Sequence, residues 1–200
     1  MNFITLTDKK THTIHVLGNG PSLELFNRND WSDDHEFVGC NFSNPDLRPD
    51  YTVMMDVKPI MQFYQGYKLS IPLVISERCE SYIAKDKKGW ERLPPNSFAL
   101  LDIIPMIHEK PNKYPMNSGH HATLYGINRN KETVKTVHLW GFDSFWSNDI
   151  SSRTDELVKR TGGPRVNLSV SAEWRKYWSE IFDKHKNIKF VIEGNNEKLS

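Results

Sequence analysis

The stretch VLGNGPSLELF (residues 16–26) is an apolar run that ends in Gly-Asn-Gly-Pro-Ser and continues into helix-forming residues. Gly18 and Gly20 permit positive φ and close backbone approach. Pro21 suits the first position of a helix because its missing N–H needs no partner there. Ser22 is able to bond nearby backbone amides. The stretch predicts a strand, a tight turn and a helix whose free N–H groups form a phosphate site. An ordinary strand-to-helix turn is an equally weighted alternative.

Six further apolar runs alternate with helical or loop stretches along the chain. Near-continuous apolar runs are typical of strands covered on both faces, and their alternation with helices indicates a parallel, doubly wound α/β sheet. We therefore expect a single Rossmann-like domain over residues 1–200, with about seven mostly parallel strands and helices on both faces. The predicted strands span residues 12–18, 36–40, 51–56, 72–76, 97–102, 136–143 and 188–194.

The clearest helix precedes the last strand, in SAEWRKYWSEIFDKH (residues 171–185). Ser171 is predicted as its N-cap. Apolar side chains recur at every third or fourth position, which predicts a stripe packed on the sheet rather than a platform for a ligand. The stripe consists of Trp174, Tyr177, Trp178, Ile181 and Phe182.

The composition limits the class of protein. The 200 residues include 26 Lys and Arg against 25 Asp and Glu, a formal net charge of +1, so the overall charge favours neither nucleic acid nor an anionic membrane. The sequence contains no signal-peptide pattern and no run of about 18 apolar residues, and we expect a soluble, cytoplasmic protein without a membrane span. The two cysteines, Cys40 and Cys79, lack CxxC spacing and are expected to be reduced, structural thiols.

A second turn of similar character, Asn117-Ser118-Gly119, precedes another helical pattern. Small residues before a helix leave backbone amides unpaired, so this turn and the first one are suited to hold one phosphate or carboxylate group between them. His120 and His121 lie in the first turn of that helix. A solvent-facing or capping role is favoured for both, with a catalytic role as the alternative.

Several polar residues follow predicted strands. Asp143 comes after a strand that Gly141 breaks, at the edge where ligands of open α/β folds bind. Its alternative role is to cap the next segment. Asn41 follows the second strand and Asp56 the third, so a parallel sheet brings them to the same edge. The convergence of these residues is a stronger indication of a site than any one of them.

Familiar site motifs are missing from the sequence. Leu23 occupies the position of the third glycine in the dinucleotide-binding fingerprint. There is no HExxH, GxSxG or GxxxxGK[ST] motif, which disfavours metalloproteases, hydrolases and P-loop proteins. The sequence also lacks an Asp-x-Asp pair, so we expect no metal clamp and no required cofactor.

In order and spacing, these motifs resemble those of the bacterial sialyltransferases of lipooligosaccharide synthesis. The matching segments are VLGNGPSL, VGCN, NSGHHATLYGI, VHLWGFDSFW and IKFVIEGNN. The resemblance covers most of the chain and implies a metal-independent GT-A-like fold, a CMP-sugar donor and a glycan or small-molecule acceptor. It implies that the nucleotide, its phosphate and the sugar are bound by Gly18, Asn19, Gly20, Pro21, Ser22, Asn41, Asn117, Ser118, Gly119 and Gly141.

Two residues of the family pattern have no counterpart. Phe145 stands where the family has a tyrosine, and no histidine lies between His138 and His185, where the family has its presumed general base. The remaining candidates for a catalytic group are Asp143, His120 and His121, and those for an arginine that binds phosphate are Arg153 and Arg165.

Two other functions stay open. The Gly-Pro-Ser-Leu turn also occurs in hydroxymethylpterin pyrophosphokinase-like proteins, which would need magnesium and a triphosphate, with Asp56 and Asp143 as the available acids. The other alternative is a catalytically silent nucleotide-binding module. Trp146 and Tyr64 are candidates for sugar stacking or for a homo-oligomer interface, and the sequence does not choose between these roles. The favoured interpretation is a sialyltransferase-like glycosyltransferase.

Overall fold

A single parallel sheet forms the centre of the fold. The computed structural model describes residues 4–6, 11–42, 45–85, 88–107, 115–148 and 168–194. The sheet has seven strands in the order β5-β4-β3-β2-β1-β6-β7, and every neighbouring pair is parallel. This confirms the predicted fold class. The strands are β1 (Thr13–Leu17), β2 (Glu36–Cys40), β3 (Tyr51–Met54), β4 (Leu73–Ser76), β5 (Leu100–Ile104), β6 (Thr136–Trp140) and β7 (Lys189–Ile192).

The predicted bounds of β5 are wrong at both ends, since this strand spans Leu100–Ile104 instead of residues 97–102. Ser97 belongs to a turn, because its N–H and its hydroxyl both donate to the carbonyl of Pro94, at 3.1 and 2.6 Å.

Helices cover both faces of the sheet. The described α-helices are α1 (Val57–Tyr64), α2 (Glu77–Ala84), α3 (Gly89–Arg92), α4 (Ser118–Arg129) and α5 (Leu168–Lys184). Short 3-10 helices are η1 (Pro21–Leu25), η2 (Arg28–Asp30), η3 (Pro45–Leu47) and η4 (Asp143–Phe145). Within the described residues, none of these helices is long and apolar enough to cross a membrane.

Alternate residues of the strands enter different cores. Ile14 and Val16 of β1 belong to the core that contains residues of α4 and α5. Leu17 of the same strand belongs to a core on the other face, with Leu23 of η1 and Phe37 of β2. The two-residue period of a strand explains this division. β2, β3 and β4 are buried along their whole length, as their near-continuous apolar runs predict.

The last helix differs from its prediction at the N-terminus. α5 begins at Leu168, so Ser171 lies inside the helix and is not its N-cap. The helix extends upstream because Val170 is buried and continues the apolar face. The aromatic stripe packs into the core as predicted, with Tyr177 and Trp178 almost fully buried.

Both cysteines are buried, free thiols, as predicted. Burial raises the pKa of Cys40 to about 12 and the pKa of Cys79 to about 11. A thiol with so high a pKa is a poor nucleophile at neutral pH.

The strand order creates a topological switch point in the sheet. The chain winds from β1 outward to β5 and then returns to place β6 on the other side of β1. The connections that follow β1 and β6 therefore leave in opposite directions, and open α/β folds bind ligands at such a switch point, outside the carboxyl ends of the strands. The turn after β1 and the segment after β6 both lie at this switch point.

Candidate functional site

The turn after β1 is held tightly against the end of β6. The Gly18 N–H donates to the carbonyl of Trp140 at 2.7 Å, and the Gly20 N–H donates to the carbonyl of Gly141 at 2.9 Å. A Cβ atom at Gly18 would lie 2.6 Å from the Gly141 oxygen, and one at Gly20 would overlap the Asp143 carboxylate. Close approach therefore requires both glycines. Of the two properties that glycine permits, the turn uses close approach and not positive φ: Gly20 has φ −74°, whereas Gly141 has φ +70°.

The Asp143 carboxylate occupies the N-terminal end of η1. The Ser22 N–H donates to Asp143 Oδ2 at 3.1 Å and to Oδ1 at 3.3 Å, and the Ser22 hydroxyl donates to Oδ2 at 2.8 Å. Pro21 stands at the start of η1 as predicted, although the helix is of the 3-10 type. Asp143 is not the cap of the next segment, since η4 begins at Asp143 with Phe142 in the cap position. The Asp143 carboxylate thus accepts the Ser22 N–H, one of the N–H groups of this turn that were predicted to be free for a phosphate.

The ends of β2 and β3 join the start of α4 at the same edge. Asn41 leaves β2 with φ +53°, and its Oδ1 accepts a hydrogen bond from the Ser118 hydroxyl at 3.0 Å. The Ser118 oxygen accepts the N–H of Met55 at 3.3 Å. Asn19 Nδ2 donates to the carbonyl of Cys40 at 2.6 Å. The predicted convergence of polar residues from separate segments is present.

Asn117 caps α4. Its Oδ1 accepts the N–H of His120 at 3.1 Å, and its own N–H donates to His120 Nδ1 at 3.1 Å, which together form a capping box. A Cβ atom at Gly119 would overlap the ring of Phe142, so the small residue is needed for α4 to approach the segment after β6. Much of the Pro-rich loop before this turn lies outside the described residues.

His120 and His121 are buried, so the prediction of a solvent-facing role is wrong, while the capping role of His120 is confirmed. Because His120 Nδ1 accepts a hydrogen bond from Asn117, its Nε2 carries the proton and donates to the carbonyl of Trp174 at 3.1 Å. Burial lowers the pKa of His120 to about 3. His121 Nε2 accepts the N–H of Ile107, and His121 Nδ1 donates to the carbonyl of Asn117, both at 3.1 Å. All four ring nitrogens thus have backbone partners.

The two acids predicted at this edge, Asp56 and Asp143, have different surroundings. Asp56 is exposed at the N-cap of α1 without a side-chain capping bond, and Asp143 is half-buried against Ser22. Among the residues that the structure describes, no group of three or more His, Cys, Asp or Glu side chains is placed to hold a metal ion.

Two side chains near η4 have positions that the sequence did not predict. The Phe145 ring packs on Trp178, with ring centroids 5.3 Å apart, so it lies in the core beside α5. Arg175 donates from Nη1 to the Ser144 carbonyl and from Nη2 to Asn148 Oδ1, both at 2.9 Å. The available indication for Arg175 was its spacing in the sequence: it lies three residues before Trp178, so it is next to the aromatic stripe on the helix surface. Arg153 and Arg165 lie outside the described residues.

Comparison with known proteins supports the fold. No protein-family model matches the sequence, and no curated protein matches it. The chain is similar in structure to the monofunctional α-2,3-sialyltransferase Cst-I from Campylobacter jejuni, with a TM-score of 0.60 and 13% identity over 100% of this chain and 81% of that one.

Two structures of a second sialyltransferase are also similar. CST-II in complex with a trisaccharide acceptor and CMP gives a TM-score of 0.52 and 14% identity, over 94% of this chain and 83% of that one. CstII from Campylobacter jejuni in complex with the substrate analogue CMP-3FNeuAc gives a TM-score of 0.52 and 15% identity, over 92% of this chain and 81% of that one. At these identities the likeness concerns the fold, and the chain has the parallel α/β fold of these sialyltransferases.

Proposed function

We propose that the chain is a sialyltransferase-like glycosyltransferase that transfers the sugar of a CMP-sugar to a glycan or small-molecule acceptor. The observation that carries the proposal is the pair of contacts at the switch point, Ser22 to Asp143 and Asn41 to Ser118, which unite the ordered motifs of the resemblance. The likeness to structures that contain CMP or a CMP-sugar analogue supports this choice of donor.

The donor is proposed to lie between the turn after β1 and the start of α4. We assign the nucleotide to the first turn with Asn41 and Gly141, and the phosphate and sugar to Asn117, Ser118 and Gly119. α4 presents the positive end of a twelve-residue helix there, which favours an anion. The assigned residues of the first turn are Gly18, Asn19, Gly20, Pro21 and Ser22.

Asp143 is the strongest of the three candidates for the proton acceptor. Asp143 is half-buried at the switch point, whereas His120 and His121 have both ring nitrogens engaged by backbone groups. In a direct displacement, the acceptor hydroxyl oxygen bonds to the anomeric carbon as the bond to the CMP phosphate oxygen breaks. The leaving CMP takes the electron pair, and the hydroxyl proton passes to Asp143.

A catalytically silent nucleotide-binding module is the second candidate. The observation in its favour is the Phe145 ring, which packs beside Trp178 in the core and offers no hydrogen-bond donor to a leaving phosphate. Turnover of the donor separates this candidate from the transferase.

A thermal-shift panel of CMP, CDP, UDP, GDP and ATP, each with and without magnesium, tests the donor class. A ligand held at about a hundred times its Kd adds about 2.7 kcal/mol to the free energy of unfolding. We expect stabilisation by CMP that is indifferent to magnesium. A shift with ATP and magnesium alone would point to a pyrophosphokinase, and the absence of any shift would contradict nucleotide binding.

A further inference from the structure

Arg175 of α5 is a half-buried cation without an acidic partner in the part of the chain that the structure describes. Its two hydrogen-bond acceptors, the Ser144 carbonyl and Asn148 Oδ1, are both uncharged. A guanidinium has further N–H groups beyond the two used here, so it can bind an anion without releasing these partners. The neighbouring Lys176 differs, because its side chain is 59% exposed and lies 4.0 Å from Glu180.

The position of Arg175 joins the segment assigned to the phosphate and the sugar to the segment that carries the proposed proton acceptor, Asp143. The carbonyl of the preceding residue, Trp174, accepts the hydrogen bond from His120 in the first turn of α4. Ser144, which Arg175 contacts, directly follows Asp143 in η4. α5 therefore brings Arg175 to the same edge of the sheet as the N-terminal end of α4 and the Asp143 carboxylate.

The acids that the structure describes at this edge leave Arg175 available for an incoming anion. The Asp143 carboxylate already accepts three hydrogen bonds from Ser22. Glu173 lies two positions before Arg175, and residues two apart project from different faces of a helix. Phe145 cannot supply a donor to a phosphate because its side chain is a hydrocarbon ring.

We propose that Arg175 binds the phosphate of the CMP moiety and offsets the negative charge that develops on it as the sugar departs. This inference rests on the proposed function and adds a specific phosphate ligand to it. The planar fork of a guanidinium matches two phosphate oxygens, and its charge is always present. Arg175 thereby serves in place of the tyrosine for which this chain has Phe145.

Titration calorimetry with CMP and with cytidine, which lacks the phosphate, tests the assignment. Charge-assisted hydrogen bonds are strong, so we expect Arg175→Ala to weaken CMP binding by about tenfold or more. Cytidine binding should keep its wild-type Kd, and Arg175→Lys should retain part of the CMP affinity. Lys176→Ala, which removes a neighbouring exposed charge, is the matched control and should bind both ligands as the wild type does.

A purely structural role for Arg175 gives a different pattern. Asn148→Ala removes one partner of the guanidinium but keeps its charge, and we expect it to preserve the preference for CMP over cytidine. Equal weakening of both ligands by Arg175→Ala would overturn the proposal, as would unchanged CMP binding. Arg175→Gln, which keeps a donor of similar reach, provides the measurement if the alanine variant does not fold. A wild-type protein that binds cytidine and CMP equally overturns only the phosphate role, whereas one that binds neither overturns the proposed function as well.

Discussion

At the residue scale, Asp143 makes the contact on which the candidate site depends. Its carboxylate accepts the N–H and the hydroxyl of Ser22, 121 residues away in the chain, and so ties the turn after β1 to the end of β6. Carboxylates are favourable near the N-terminal end of a helix, which explains why this acid is accommodated there. The same carboxylate is the proposed proton acceptor.

Asp143→Asn is expected to lower the rate of sugar transfer by about a hundred- to ten-thousand-fold, the usual contribution of a positioned general base. The amide keeps the shape of the side chain, so CMP affinity should change much less than the rate. Steady-state kinetics and calorimetry of the same preparation measure the two effects. Asp183→Asn, on an aspartate whose side chain is 73% exposed, is the control. A variant at Asp143 with the wild-type rate would remove this residue from the mechanism.

The polar residues at this edge could be predicted from the sequence, whereas their hydrogen-bond partners could not. The placement of Asn41, Asp56 and Asp143 at one edge follows from parallel strands alone, because each residue comes after a predicted strand. The contact between Asp143 and Ser22 does not, because it depends on the packing of segments far apart in the chain. For the same reason, a sequence pattern cannot show that His120 and His121 are buried with all ring nitrogens engaged.

At the element scale, β1 and β6 carry a stack of histidines on the face opposite α4 and α5. His15 is fully buried and its ring stacks on that of His138, with centroids 4.7 Å apart. Trp140 Nε1 donates to His15 Nδ1 at 3.2 Å, so His15 Nε2 carries the proton and donates to His35 Nδ1 at 3.0 Å. His138 in turn donates to Glu193 at 2.8 Å. Protonation of His15 Nδ1 would break its contact with Trp140.

Acid is therefore expected to destabilise the fold. Burial, together with the charges of His138, His35 and Arg28, lowers the pKa of His15 to about 3. The pKa of His120 is lowered to about 3 chiefly by its burial. Below pH 6.5 the unfolded chain binds protons at these sites and the folded chain does not, so the stability present above that pH is lost as the pH falls.

Each of the two histidines should lower the free energy of unfolding by about 2 kcal/mol between pH 8 and pH 5. Urea denaturation at pH 5, 6, 7 and 8 measures the dependence. His15→Phe should be less stable at pH 8 and should also show a shallower slope, because one titrating group is gone. A free energy of unfolding that does not change over this range would contradict the burial of the neutral rings.

The amino ends of β2 and β3 are joined by a buried hydrogen bond, which we expect to contribute to stability and not to ligand binding. The buried Tyr51 hydroxyl donates to Glu36 Oε1 at 2.6 Å, at the edge of the sheet opposite the candidate site. Tyr51→Phe should lower the free energy of unfolding by about 1–3 kcal/mol, since it removes a hydrogen bond from a buried carboxyl group. CMP affinity should stay unchanged, and calorimetry at a temperature where the variant is folded checks this. A large loss of CMP affinity would argue against a site confined to the carboxyl edge.

At the scale of the whole molecule, the strand number and the parallel arrangement could be predicted because buried strands have near-continuous apolar sequences. The strand order could not, since an apolar run does not specify its neighbour. Local contacts explain why two elements begin at other residues than predicted. Ser97 bonds within a turn, so β5 begins after it. Val170 is buried with the apolar face of α5, so the helix begins upstream of Ser171.

The arrangement of the whole sheet places the candidate site at the single point where β1 and β6 diverge. Each segment that resembles a sialyltransferase motif ends a strand or begins a helix at the carboxyl edge, within the part of the chain that the structure describes. The proposed function therefore depends on the chemistry of that edge, and a reaction with the proposed donor tests it directly.

The most direct measurement is the release of CMP from a CMP-sugar, CMP-sialic acid, by the purified protein with EDTA present and a mixture of glycan acceptors added. We expect CMP release that EDTA does not abolish and that Asp143→Asn reduces by about a hundredfold or more. Tight binding of CMP with an intact donor after prolonged incubation would contradict the transferase and establish a silent nucleotide-binding module instead.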